Sequence, residues 1–264
     1  MTTAILSALA EEQQGLAHAL AQRQTVAHAG RHFEVGTLYG LPVVLALSGI
    51  GKVAAATTTA ALIERFGTQR VVFTGVAGGM GAAVQVGDVV VAQQFLQHDM
   101  DVRPLFARWQ VPGYAAPTFD CDPGLTHDLL LAAHDCVTAA AAWQVPMLKG
   151  YQPQAHCGLI ASGDQFIVSA QACQHIRHDL ETASYLPLAV EMEGAAIAQA
   201  CADYGVPFGA VRTISDRADD NAHLDFPAFV QAVASRYAQH IVAHWLQSKA
   251  SAGFHHAPQY PCTK

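Results

Sequence analysis

The sequence predicts a single α/β domain, a sheet covered by helices. Composition is the first observation behind this: of 264 residues, 52% are hydrophobic and only 13% charged, a balance suited to a large core and not to a disordered chain. Length is the second. A globule of this size buries roughly 70–75% of the surface its unfolded chain exposes, and one large domain is favoured over two small ones. The third is the alternation, from one end to the other, of short apolar runs with alanine-rich helical stretches.

Residues 3–9 read as a buried strand and 11–22 as a helix, so Glu12 falls just past a strand end, in a first helical turn. An acid there complements the helix dipole; it also stands where open α/β sheets bind ligands. Residues 32–47 hold two apolar runs around the turn signal Tyr39-Gly40-Leu41-Pro42. Ser48-Gly49-Ile50-Gly51-Lys52 then leads into a helix over 53–66. Its spacing is neither a Walker A loop nor Gly-x-Gly-x-x-Gly, so it is a tight turn with only a weak phosphate signature. Residues 70–74 form a short strand running into Gly75-Val76-Ala77-Gly78-Gly79, small residues that let main chain approach a ligand or close-pack a sheet turn. A strand over 87–92 follows.

Residues 98–122 are irregular and rich in Pro and aromatics, among them Pro104, Phe106, Trp109 and Tyr114. A loop of this length in a domain usually serves as a lid or an interface arm, and its apolar content calls for burial, against another subunit for instance. Then come a helix over 125–142, a connector, a strand over 157–162, a helix over 170–179, a strand over 187–190, a helix over 192–204 and a strand over 206–214. The closing helix, 226–246, carries Phe226, Phe229, Val230, Val233, Tyr237, Ile241 and Trp245 at mainly three- and four-residue spacing, a core or dimer stripe. The domain is assigned to residues 1–247, and 248–264 to a frayed, flexible tail.

Charge and motif content exclude several functions. A formal charge of -7 without a basic run offers nucleic-acid phosphates no surface. The fourteen His are scattered without metal-ligand spacing, and the six Cys include no Cys-x-x-Cys pair, as expected of reduced thiols in the cytoplasm. The apolar N-terminus lacks a positive region and is followed by Glu11-Glu12, so it reads as a strand and not a signal peptide. No apolar stretch is long enough to span a membrane. A soluble intracellular enzyme acting on a small molecule fits these limits.

The stretch from Val190 to Asp216 organises the rest. It opens with Glu191 and Glu193 at the head of a helix and closes with Arg212, Ser215 and Asp216 at the end of a strand. Carboxylates suit a helix N-terminus, and the strand end points to the same crevice.

In order along the chain, Ser48-Gly-Ile-Gly-Lys-Val-Ala-Ala-Ala, Thr74-Gly-Val-Ala-Gly-Gly, Ser162-Gly-Asp-Gln-Phe-Ile, Val190-Glu-Met-Glu-Gly-Ala-Ala-Ile-Ala and Val211-Arg-Thr-Ile-Ser-Asp resemble the bacterial 5'-methylthioadenosine/S-adenosylhomocysteine nucleosidases, in the nucleoside phosphorylase superfamily. The match runs from about Ile5 to Trp245. The resemblance implies a three-layer α/β/α domain around a mixed, twisted sheet, a homodimer, an adenine nucleoside substrate, hydrolysis of its N-glycosidic bond, and no metal or organic cofactor.

It also implies roles. Asp216 would be the general acid, with a pKa raised or coupled to substrate binding. Glu12 would hold and deprotonate the attacking water, and Glu193 would accept hydrogen bonds from the ribose hydroxyls. Arg212 would orient the water or Glu193, or be an ion-pair partner alone; Ser215 would position Asp216, or be a turn residue alone. Phe166 would stack on adenine, Ile167 would offer it backbone groups, and Met192 would lie beneath the ribose. Val76, Ala77 and Gly78 would border the ligand. Leu9, Ile50 and Phe226 would line a slot for the 5'-alkylthio group, completed by Val102, Leu105 and Pro112 of the other subunit. Glu191 receives no role. Val76 stands where the family usually has Ser or Thr, Leu9 where Met is common and Gly194 where Ala is usual; these departures leave the 5' substituent open. Rival readings are a phosphorylase, a futalosine-type nucleosidase and a non-catalytic nucleoside-binding protein.

Overall fold

Strand β1 (Thr3–Ser7) lies between β4 (Leu41–Leu47) and β5 (Arg70–Gly79), parallel to both. Its side chains alternate between two cores. Ala4 and Leu6 join Phe33, Leu62 and Phe73 on one face, and Ile5 joins Leu16, Leu129 and Trp245 on the other. A strand with both faces apolar needs cover on both. On the first face it comes from α2 (Lys52–Phe66) and α5 (Gly194–Tyr204), on the second from α1 (Ala10–Ala19), α3 (Pro123–Ala140) and α7 (Ser235–Phe254). This three-layer α/β/α arrangement, seen in a computed structural model that describes residues 1–143, 148, 150–218 and 226–254, is the expected fold.

The remaining strands are β2 (Ala21–His28), β3 (Arg31–Leu38), β6 (Val89–Gln97), β7 (Thr118–Asp120), β8 (Ala155–Ser162), β9 (Pro187–Glu191) and β10 (Phe208–Asp216). Their order is β10-β6-β8-β9-β5-β1-β4-β3-β2, with β7 on β6. Because β10 also pairs with β5, the strands β5, β10, β6, β8 and β9 close on themselves, while β1 to β4 fan out from that closed part. Parallel and antiparallel pairs are mixed. Helix α4 (Ala170–Thr182) adds a smaller core of Cys173 and Leu180 against Leu96, Trp109 and Ile167. Among the described residues no helix is long and apolar enough to cross a membrane.

Several boundaries differ from the sequence reading. Residues 21–28, placed partly in the first helix, form the strand β2, most of whose residues are exposed. Strand β5 does not stop at Thr74 but runs through the glycine-rich segment to Gly79. Asp216 is the last residue of β10 and not a residue beyond it, and α5 starts at Gly194, with Glu193 at its N-cap. The closing helix starts as α6 (Phe226–Phe229), passes through a π-helical turn at Val230–Ala234 and continues as α7 to Phe254, farther than the boundary at residue 247. Residues 255–264, the rest of the tail, lie outside the described residues.

The irregular segment 98–122 buries part of its apolar content within its own chain. Trp109, Val111 and Phe119 are buried. The Trp109 indole donates to the His98 carbonyl at 3.1 Å and meets Tyr185 edge-on at 6.1 Å. Arg108 pairs with Asp179 of α4 at 2.7 Å. Leu105 and Phe106, in contrast, remain exposed.

Candidate active site

At the carboxyl ends of β1, β5, β9 and β10 the chain encloses a cleft of about 390 Å3. Binding pockets for small molecules typically measure about 300–1,000 Å3. Glu12, Glu193 and Asp216 line it together with Leu9, Ile50, Val76, Ala77, Gly78, Phe166, Met192 and Ser215, so the sequence candidates largely converge. Ala8, Val190 and Glu191 also line it.

Glu12 is buried in the first turn of α1 and serves its helix and the cleft together. Oε2 accepts the N–H groups of Ala8 and Leu9, each at 2.9 Å, closing off the helix start. Oε1 accepts the Val76 N–H at 3.0 Å, which ties α1 to β5. Burial raises the Glu12 pKa, against the opposing pull of Arg212 and of these N–H donors.

Arg212 is 1% exposed and lies over the Phe73 ring, 3.7 Å from its centroid. Its Nη2 pairs with Glu191, and with Glu193 Oε2 at 3.1 Å. In the β5–β10 pair it sits opposite Gly75, and the register explains the glycine. A Cβ at Gly75 would strike Arg212 Nη1 and come 2.6 Å from Glu12 Oε1. The Nε and Nη1 atoms are buried without a protein partner among the described residues.

Glu191, which the sequence left without a role, is the hub of this side. Its carboxylate accepts from Arg212, from the Ser162 hydroxyl and from the backbone N–H groups of Glu193 and Gly194. It thereby anchors the head of α5 and holds the guanidinium. Ser162 is brought there by register, as the β8 partner of Glu191. Glu193 Oε1 accepts the Gly51 N–H at 2.9 Å. Burial and the neighbouring Glu191 push Glu193 up to about 7, while Arg212 pulls the other way.

Asp216 ends β10 after a register shift between Ile214 and Asp216, the kind of bulge that re-aims a side chain at a site. Ser215 donates to Oδ2 at 2.7 Å and the Ala218 N–H to Oδ1 at 2.8 Å. Opposite lies Gly78, where a Cβ would come 3.0 Å from Oδ1.

Not every candidate reaches the cleft of its own chain. Ile167 turns its side chain into the α4 core, leaving only its main chain for a ligand. Val102, Leu105 and Pro112 are not among the cleft-lining residues, and Leu105 is 82% exposed. The side chain of Phe226 lies outside the described residues. Among the described residues no group of three or more His, Cys, Asp or Glu could hold a metal.

The missed contributors are Glu191, Ser162, Phe73 and the Gly51 N–H. Their part depends on which strands become neighbours, and no local signal carries that.

Residues 2–246 match the phosphorylase superfamily. A 5'-methylthioadenosine/S-adenosylhomocysteine nucleosidase of Chromohalobacter salexigens is 38% identical over 91% of this chain and 94% of its own. The crystal structure of the nucleosidase of that name from Neisseria meningitidis, in complex with methylthio-immucillin-A, superposes with a TM-score of 0.80 at 35% identity, covering 94% of this chain and 99% of that one. A futalosine hydrolase of Helicobacter pylori superposes with a TM-score of 0.79 at 29% identity, covering 94% and 98%.

Proposed function

From a chain that belongs to the phosphorylase superfamily and, within it, to the 5'-methylthioadenosine/S-adenosylhomocysteine nucleosidases, we infer a purine N-glycosidase. It hydrolyses the N-glycosidic bond of 5'-methylthioadenosine and S-adenosylhomocysteine, releasing adenine and the 5-thioribose sugar. The observation that carries this reading is the convergence of Glu12, Glu193 and Asp216 on one cleft.

Cleaving the bond leaves positive charge on the sugar and negative charge on the base, and carboxyl groups about the ring answer both. Asp216, oriented by Ser215 and the Ala218 N–H, donates its proton to an adenine ring nitrogen as the bond lengthens. Glu12 takes a proton from the attacking water; its raised pKa brings it closer to the working range of a general base. Glu193 accepts hydrogen bonds from the ribose hydroxyls. Arg212 holds Glu193, and its Nη1 borders the same Gly75 surface as Glu12 Oε1, a position suited to orienting the water. Phe166 stacks on adenine, Ile167 offers backbone groups to it, and Met192 underlies the ribose. Leu9, Ile50 and Phe226 form the 5' slot.

The protein works as a homodimer in the cytoplasm, and Val102, Leu105 and Pro112 of one copy complete the slot of the other. Exposure of Ile50, Leu105 and Phe106 supports such cover. The free thiols of Cys121, Cys136, Cys157 and Cys201 support a reducing compartment.

Water is favoured over phosphate as the nucleophile because the described residues lining the cleft include no Lys, Arg or His, and the Arg212 guanidinium behind them is already paired with Glu191 and Glu193. The futalosine reading keeps the same chemistry and differs in the 5' group. Release of the free purine base from methylthioadenosine, S-adenosylhomocysteine, adenosine and futalosine (adenine from the first three, hypoxanthine from the last), in phosphate-free buffer and with added phosphate, tests all of this. Release without phosphate, fastest from the two thioethers, is expected. Release only with phosphate, or only from futalosine, would replace the proposed reaction.

A further inference from the structure

Helix α2 starts without a cap of its own. Gly51 at its N-cap has no side chain to offer and sits at φ +96°, a conformation that favours glycine. Two carboxylates from distant segments take the N–H groups there. Glu193 Oε1 accepts from Gly51 at 2.9 Å, and Asp164 Oδ1 accepts from Lys52 at 2.8 Å. Unsatisfied N–H groups and the helix dipole favour both. One of these carboxylates belongs to the proposed ribose-holding set; the other lies two residues before Phe166.

The Lys52 side chain closes this arrangement into a ring. Its Nζ lies 2.6 Å from Asp99 Oδ1 and 3.0 Å from Gln97 Oε1, and Asp99 Oδ2 accepts the Asp164 N–H at 2.9 Å. Lys52, Asp99 and Asp164 thus join the start of α2, the segment after β6 and the segment after β8. The Lys52 and Asp99 side chains are 16% and 25% exposed, so water screens the pair only in part. Burial pushes the Asp99 carboxyl up, and the Lys52 and Asp164 donors outweigh it, leaving it below its ordinary range. Beyond this ring, His98 packs its ring against Gly163, where any Cβ would collide. Lys52 itself is not among the cleft-lining residues.

The geometry points to Lys52 as a positioning residue: by tying Asp164 and Asp99 to the head of α2, it fixes the Phe166 segment and the Glu193 carboxylate at one separation. Base and ribose are then gripped as a unit. This rests on the nucleosidase reading.

The test compares Lys52→Met and Lys52→Arg with the wild type in steady-state adenine release, calorimetric adenine binding and circular dichroism. Lys52→Met is expected to keep the fold, raise KM and adenine Kd about 10-fold and lower kcat about 10-fold, since misplacement by about 1 Å can cost 10²-fold. Lys52→Arg should come back to within about 3-fold of wild type, because a cation again reaches Asp99. A purely structural lysine would lower the melting temperature and leave KM and Kd of the folded protein unchanged; that result, or an arginine variant no better than methionine, overturns the inference. Should Lys52→Met not fold, Asp99→Asn keeps the lysine and should raise adenine Kd about 3-fold; an unchanged value overturns it equally. If the wild type releases no adenine at all, the nucleosidase reading falls and the inference with it, an outcome distinct from an active wild type with indifferent variants.

Discussion

On the floor of the cleft, Glu12 and Glu193 are 2% and 4% exposed, Arg212 behind them is 1% exposed, and backbone N–H groups or the guanidinium hold each carboxylate. At the rim, Ile50 is 60% and Phe166 49% exposed. The floor is built on strand ends and helix starts, whose positions are set by the cores beneath them. The rim rides on the segments between β4 and α2 and between β8 and α4. Charge in a dry site is costly to misplace, so acid–base groups belong on the rigid part. Apolar rim groups gain by being covered, by a ligand or by a second copy, and tolerate adjustment. The two regions should therefore answer differently to substitution: the floor in turnover, the rim in affinity.

The sharpest break in that contrast would come at Asp216. Asp216→Asn keeps the shape and an acceptor for Ser215 or the Ala218 N–H but removes the proton to be donated. A general acid is typically worth about 10²–10⁴ in rate, so kcat should fall by that factor. Calorimetric affinity for adenine should stay within about 3-fold of wild type. A kcat within about 3-fold of wild type would remove Asp216 from its role.

The floor should also respond to pH in two opposed ways. Glu193 is pushed up from an ordinary 4.5 to about 7 by burial and by Glu191. A carboxyl whose folded pKa is raised binds its proton more tightly in the native state. It therefore contributes stability below about pH 4.5, and that contribution is lost as pH rises through about 7. Glu12 is shifted in the same direction and adds to the trend. Catalysis should run the other way, because the ionised Glu193 is the better acceptor for sugar hydroxyls. Between about pH 8 and pH 5, kcat/KM should fall roughly 10- to 100-fold, with an apparent pKa near 7. Over that window melting temperatures should hold or rise, and Glu193→Gln should flatten both curves. A wild-type melting temperature that rises from pH 5 to pH 8, with the rise lost in Glu193→Gln, would contradict the assignment.

The floor is also the part most legible in the sequence, for a physical reason. Glu12 follows one apolar strand and Asp216 ends another, and Glu193 heads an alanine-rich helix, so local patterning alone aims them at one crevice. The strand β2 escaped notice because its sequence, AQRQTVAH, is mostly polar and mostly exposed, giving no two-residue alternation to detect. Gly75 to Gly79 read as a turn because glycine weakens strands locally; the strand persists there because Arg212 and Asp216 across the sheet occupy the space that side chains would need. Glu191 looked idle for a related reason. Its partners Ser162 and Arg212 stand 29 and 21 residues away, and only sheet pairing makes them neighbours. What was illegible is in each case tertiary: a register, a close approach, a shared N–H.

The rim supplies the smallest expected effect and the other half of the comparison. Phe166 borders the cleft, yet about half of it faces outward, and its segment is held by Asp164 and Asp99 on one side and by Ile167 in the α4 core on the other. Stacking of a base on an aromatic ring is worth about 1–3 kcal/mol, and a half-exposed ring should lie at the low end. Phe166→Ala should therefore raise KM and adenine Kd about 10-fold while leaving kcat within about 3-fold. Uniform loss of binding is the mark of a group that grips ground state and transition state alike. Should Phe166→Ala instead lower kcat as far as Asp216→Asn does, with Kd unmoved, the ring would be acting on the reacting bond itself, and the division between a chemical floor and a gripping rim would not hold.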